Sequence, residues 1–299
     1  MVADPRPEVV LARDVSDGEP RLRRRADVER VRRGAYVRTA ESLGPARDRR
    51  RLALARIVAV HRQSSRPLWF SHESAALVWG CDTVGLSGLV HVTQPSRPRS
   101  RGSDPVVRHH GDLPAAHRAV VDGIPVTSLA RTVVDCACAL AADRGLVIAD
   151  SALRRGLDRE VLGQVVAARA GTRGVARARE VLCLADPGAQ SPGETLVRWA
   201  LHRGGLPRPE LQVEVLTRRG RFFLDLGWPA LRVGVEFDGF VKYSGELGNT
   251  AAHAVFAEKQ RQDALEDEGW RVLRVTWDDL RAPAPLVARV ARALARAAS

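Results

Sequence analysis

The chain has 299 residues, 45% hydrophobic and 27% charged, with a net charge of +12. That composition excludes a disordered tail, a collagen-like repeat and a small disulfide scaffold, and the length suggests about two domains, each with its own core. The basic residues are 45 Arg and only two Lys, Lys242 and Lys259, a skew that suits a solvated surface but not a site needing a compact ammonium.

Cys81, Cys136, Cys138 and Cys183 are too scattered for a disulfide framework and form no C-x-x-C pair, so they read as small buried hydrophobes. The N-terminus lacks the apolar stretch of a signal peptide and no run of about 18 apolar residues occurs, so the expectation is a cytoplasmic protein with no membrane partner. Residues 1–190 carry a net charge of +10 and residues 191–299 only +2. Arg21, Arg23, Arg24, Arg25, Arg30, Arg32 and Arg33 crowd one short segment, followed by Arg47, Arg49, Arg50 and Arg51. Such clusters can neutralise phosphates, or can simply be an exposed helix face.

From the N-terminus, a helix-like run from Arg23 leads into a short strand at Gly34 to Arg38, which would suit the wing of a winged helix. A helix follows from about Arg47 to His61. At Trp69 to Leu77 a strand meets a helix capped by Ser71. Leu89 to Thr93 and Val106 to His110 read as strands, and the Arg-, Ser- and Pro-rich segment between them as a loop. His109 and His110 are adjacent in a strand, face opposite ways and do not read as sharing a metal. From Thr127 the pattern turns helical, capped by Ser128 or Thr127, with Leu129, Val133, Cys136 and Leu140 on one stripe. Helices continue to about Leu184.

Asp186 to Pro192 is a cluster of turn formers and marks the domain boundary. The expected regions are 1–62, a basic winged-helix-like part; 63–187, α+β; and 188–299. The last reads as helix (Gly193 to Arg203), three strands (Leu211 to Thr217, Phe222 to Gly227, Leu231 to Asp238), helix (Ala251 to Glu268), strand (Arg271 to Thr276) and helix (Pro285 to Ala297). The fold class is therefore α/β, α+β overall, with a C-terminal αβββαβ core on a mixed sheet.

In Val233 to Asp238 the strand period puts Val233, Val235 and Phe237 on one face and Glu236 with Asp238 on the other. The preceding strand carries one acid, Asp225, which a hairpin would set beside Glu236. Carboxylates in apolar strands are costly unless paired or metal-bound, so the group suits Mg²⁺ or Mn²⁺, or else acids satisfied by Arg198 or Arg274. Both lysines follow in the next segments, where an ammonium could stabilise charge on a phosphorane. Glu194 also fits a capping box opened by Ser191 and Pro192.

This arrangement, from Ser191 to Ala297, resembles the PD-(D/E)xK nuclease superfamily, in particular its very-short-patch-repair-like branch with a restriction-endonuclease-like core. The resemblance implies Asp225 and Glu236 as metal ligands, with catalytic roles for Glu194, Asp225, Glu236, Asp238, Lys242 and Lys259. The family lysine two residues after the second acid is replaced by Asp238, so its role would pass to Lys242 or Lys259. The N-terminal part resembles the abortive-infection antitoxins of type IV toxin-antitoxin systems, on Arg33-Gly34-Ala35-Tyr36, Ser71 to Ala76 and Ile124 to Asp135. Only about 33 residues precede the wing, which suggests a shortened winged helix. His72, Glu73, Arg131 and Asp135 read as contacts that fix this fold. Two functions follow as expectations. One is a Mg²⁺-dependent DNA endonuclease without a small-molecule cofactor. The other is an antitoxin-like regulator that binds DNA through Arg23, Arg24, Arg25, Arg32 and Arg33, has an inactive nuclease-like domain and is partnered by a cognate toxin.

Overall fold

A computed structural model describes residues 7–15, 22–96, 105–239 and 249–299, with the backbone alone for 249–255. Lys242 and most of the Arg-rich loop after Gln94 lie outside the described residues. The fold is mixed α+β, and the chain divides into two compact units, Met1–Ala185 and Asp186–Ser299.

The first unit opens with a three-stranded sheet in the order β1-β3-β2, formed by β1 (Val9–Leu11), β2 (Val28–Arg32) and β3 (Ala35–Arg38). The segment expected to be helical from Arg23 is thus mostly a β-hairpin turning at Arg33-Gly34, where Gly34 has φ +69°. Arginine favours helices, but here Val31, Val37 and Val9 pack with Ala55 and Ala59 of α1 (Pro45–Gln63), and that burial overrides local propensity.

A five-stranded sheet follows in the order β6-β5-β4-β8-β7: β4 (Trp69–Phe70), β5 (Val90–Gln94), β6 (Val106–His110), β7 (Arg118–Val121) and β8 (Ile124–Thr127). β5 and β6 are parallel. α2 (His72–Val78) starts directly after β4, and its first residue, His72, has φ +52°. A left-handed non-glycine residue costs about 1–3 kcal/mol and persists only where its surroundings hold it. Ser71 occupies the N-cap position but makes no side-chain bond to a helix amide; its hydroxyl lies 3.0 Å from His72 Nδ1 instead. The helical layer of this unit is α3 (Leu129–Ala139), α4 (Ala142–Arg154), α5 (Arg159–Ala167) and α6 (Val175–Leu184). Ser128 caps α3 through the Arg131 amide. Cys81, Cys136 and Cys138 are buried as expected, whereas Cys183 is exposed.

The second unit is α7 (Pro192–Arg203), β9 (Glu210–Thr217), β10 (Gly220–Trp228), β11 (Val233–Phe237), α8 (Asn249–Asp267), β12 (Arg271–Val275), α9 (Trp277–Arg281) and α10 (Pro283–Ala297). Its sheet has the order β12-β11-β10-β9, antiparallel except for the parallel β11–β12 pair. Leu226, Val233 and Val235 pack in one core with α7 and α10, and Val213, Leu224 and Leu265 in a second core that includes a residue of α8. The change of core occurs between Leu211 and Val213, where Gln212 is left-handed at φ +51°. Opposite it, Asp225 sits between Leu224 and Leu226. Among the described residues, no helix is long and apolar enough to cross a membrane.

Candidate functional site

The β10–β11 ladder runs through Leu226↔Val235, and one further step sets Asp225 opposite Glu236. Asp225 Oδ2 accepts the Phe237 backbone N–H at 2.8 Å. The first turn of α7 comes close to the same sheet because its second residue is glycine: a Cβ at Gly193 would lie 2.0 Å from Phe237 Cε1. Ser191 Oγ accepts the Glu194 amide at 3.2 Å, which is half of a capping box. The other half is missing, since Glu194 Oε2 accepts instead from Gln190 N at 2.8 Å and Gln212 Nε2 at 3.2 Å. The acid is buried and held by two neutral donors.

Glu194 and Glu236 both act on Asp225, whose carboxyl is pushed up to about 6, mainly by burial and then by these two charges; the Phe237 amide and Arg261 oppose the rise. The cation at the centre is Arg261 of α8. Its guanidinium grips both oxygens of Glu236, Nη1 to Oε2 at 3.0 Å, and donates to the Phe223 carbonyl at 3.2 Å. Glu236 in turn holds the Arg261 guanidinium above its ordinary pKa. Glu258 pairs with Arg274 and lies 3.5 Å from Arg261. A shallow cleft lined by Glu236, Glu258, Arg261, Gln262 and Arg274 results.

Of the residues singled out in the sequence, Glu194, Asp225 and Glu236 are therefore brought together. Asp238 is exposed just past β11, its amide donating to Val275 O at 2.8 Å. Lys259 is exposed and does not line the cleft, because the side of α8 that turns to the sheet carries Glu258, Arg261 and Leu265, spaced by three and four. Arg274, one of the arginines expected to satisfy the acids, pairs with Glu258, while Glu236 is held by Arg261, a residue the sequence pattern did not single out. Its position three residues after Glu258 and four before Leu265 was the available signal.

Mg²⁺ and Mn²⁺ require carboxylate oxygens free to turn inward. Here Arg261 takes both oxygens of Glu236, an amide takes one of Asp225, and among the described residues no three acids bring their oxygens within 4.8 Å of one another. This arrangement does not fit the divalent cation that the strand pattern suggested.

In the first unit, Arg23, Arg24, Arg25 and Arg33 are exposed, around the turn before β2 and at the β2–β3 hairpin tip. Arg25 is paired with Asp27, which raises its pKa and lowers that of the aspartate. Arg32 is half-buried and donates to Gln63 Oε1 at 2.7 Å, tying the hairpin to α1. In the same unit Arg131 Nε contacts both oxygens of Asp135 at 2.9 Å, and Arg169 lies 3.2 Å from that carboxylate, a closed ion triad consistent with fixing the fold.

The family model of the AbiEi antitoxin C-terminal domain matches residues 72–184. A protein of Mycobacterium tuberculosis (strain ATCC 25618 / H37Rv) named "Uncharacterized protein Rv2248" is 32% identical over 227 residues, covering 75% of this chain and 80% of the relative. "Uncharacterized protein MT2308" of the CDC 1551 / Oshkosh strain matches to the same extent. The chain belongs to the family of these mycobacterial proteins. The antitoxin match begins at His72, the first residue of α2, and ends with α6, so it takes in most of the five-stranded sheet and the helices α2 to α6. No solved structure matches the chain significantly.

Proposed function

We propose that the chain is an antitoxin-like regulator that binds DNA through the arginines of the turn before β2 and of the β2–β3 hairpin tip, with a cognate toxin protein as its partner. The observation that carries this reading is the antitoxin match over residues 72–184, in the same unit as the exposed Arg23, Arg24, Arg25 and Arg33. A hairpin whose tip carries arginine and whose other face is pinned by Arg32 to α1 presents cations at a fixed spacing, which suits backbone phosphates. In this reading the C-terminal unit keeps a nuclease-like order of elements, and its carboxylates are neutralised by Arg261 rather than by a metal.

The test is fluorescence anisotropy of the full chain on a labelled DNA duplex at several salt concentrations. Binding should weaken steeply with salt, by close to one unit of log–log slope per phosphate contacted. The double variant Arg24→Ala, Arg33→Ala should bind about tenfold more weakly and with a shallower slope. Absence of binding at low salt, or a slope unchanged in the variant, overturns the reading.

A further inference from the structure

Three imidazoles meet in the first unit, none of them used by the hairpin or the carboxylates. His72 opens α2, His91 lies on β5 and His109 on the edge strand β6. Thr93 is opposite His109 in the parallel β5–β6 ladder, so the strand period of two puts His91 and His109 on one face of the sheet. One ligand nitrogen from each histidine lies within 4.8 Å of the other two. His91 Nδ1 is 3.0 Å from His109 Nε2, and the His72 ring stacks on His109 with centroids 3.8 Å apart.

The nitrogens turned away from the cluster have neighbours of a different kind. His72 Nδ1 is 3.0 Å from Ser71 Oγ, which leaves Nε2 as its inward donor atom. His91 Nε2 is buried without a hydrogen bond, 3.8 Å from Oε2 of the buried Glu73. A carboxylate there favours the tautomer with hydrogen on Nε2, which aims the Nδ1 lone pair into the cluster. Metal-ligating histidines are oriented in this way by a carboxylate behind the ring.

We propose that His72, His91 and His109 form a binding site for a divalent transition metal of the zinc class, with Glu73 orienting His91 and a fourth coordination position open to an external ligand. Three imidazoles suit zinc, cobalt, nickel or copper and not magnesium or calcium. Tetrahedral coordination at about 2.0–2.1 Å places ligand nitrogens roughly 3.3–3.4 Å apart, so the His91–His109 pair must open by only a few tenths of an ångström while His72 turns off its stack. Burial holds all three imidazoles below their ordinary pKa, in the neutral form that ligates.

The test uses the full chain, free of any polyhistidine tag and stripped with chelator, titrated with Co²⁺ under visible absorption and then with Zn²⁺. The expected result is one equivalent of Co²⁺ with tetrahedral-type d–d bands that Zn²⁺ displaces and excess Mg²⁺ does not. His109→Ala should abolish the bands at equimolar metal, and Glu73→Gln should weaken binding about 10- to 100-fold. If His109→Ala does not give a wild-type circular dichroism spectrum, His109→Gln at the same edge-strand position carries the readout. Absence of the bands in the wild-type chain, or bands that survive both His109 substitutions, overturns the proposal.

Discussion

At the carboxylate cluster of residues 186–299 an arginine already holds both oxygens of Glu236, whereas at the imidazole cluster of residues 1–185 the ring nitrogens face one another. Glu194, Asp225 and Glu236 are held by Gln190, Gln212, the Phe237 amide and Arg261. His72, His91 and His109 have each other, with Ser71 and Glu73 behind them. A charged group in an apolar sheet needs its counter-ion in the folded state itself, so a set of acids is a weak pointer to a bound cation when an arginine is within reach. Neutral imidazoles tolerate burial without such a partner, so their convergence says more about a missing ligand.

The contrast is broken most forcefully by removing Arg261. Arg261→Met leaves Glu236 and Asp225 opposed without a cation. Losing one partner of a buried pair costs about 3–5 kcal/mol, and discounting for the partial exposure of this one gives about 2–3 kcal/mol in urea denaturation. Adding Glu236→Gln to the variant should restore most of the loss; if it restores none, Arg261 acts by packing and not by charge.

A smaller effect of the opposite sign follows at Asp225. Its folded-state pKa of about 6 lies above the ordinary 3.8, so its ionised form burdens the folded state at neutral pH, and the burden lifts as pH falls from about 6 toward 4. Asp225→Asn should therefore raise stability by about 1 kcal/mol at pH 7.5, after discounting for solvent screening, and have little effect at pH 4. An equal gain at both pH values would remove burial of the charge as its cause.

The histidines reverse that pH dependence. Their folded-state pKa values are depressed by burial, so in the metal-free chain their contribution is present above the unfolded value near 6.5 and is lost as pH falls below it. Between pH 7.5 and 5 the wild-type chain should lose stability more steeply than His109→Gln, the smallest of these three effects, measured as melting temperature across the pH series. Parallel curves for the two proteins would argue against a buried, neutral His109.

The acid pair was legible in the sequence because strand parity and a short hairpin suffice to oppose Asp225 and Glu236. Arg261 was not, being one of 45 arginines on a helix whose orientation depends on the sheet it covers. The imidazole cluster was out of reach for a related reason. Its members come from three separate elements, and parity showed only that His109 and His110 diverge. In the fold, the Ser-Pro-Gly-Glu start of α7 and the alternation of β10 and β11 could be read directly. The β7–β8 hairpin went unread although its turn, Asp122-Gly123, is a recognised type I′ signal and both residues have positive φ. The segment from Arg23 was read as helix because arginine dominated the local preference, while the valines that decide it act through contacts with β1 and α1.

Left-handed Gln212 makes the β9–β10 pair a partition shared by two compartments. Leu224 and Leu226 are two positions apart on one strand, yet each belongs to a different packing neighbourhood. A void opened at either would be absorbed by a different set of side chains, so the two losses would combine as though the sites were remote. Asp225 stands on that partition, where a carboxylate can be sequestered without interrupting either compartment.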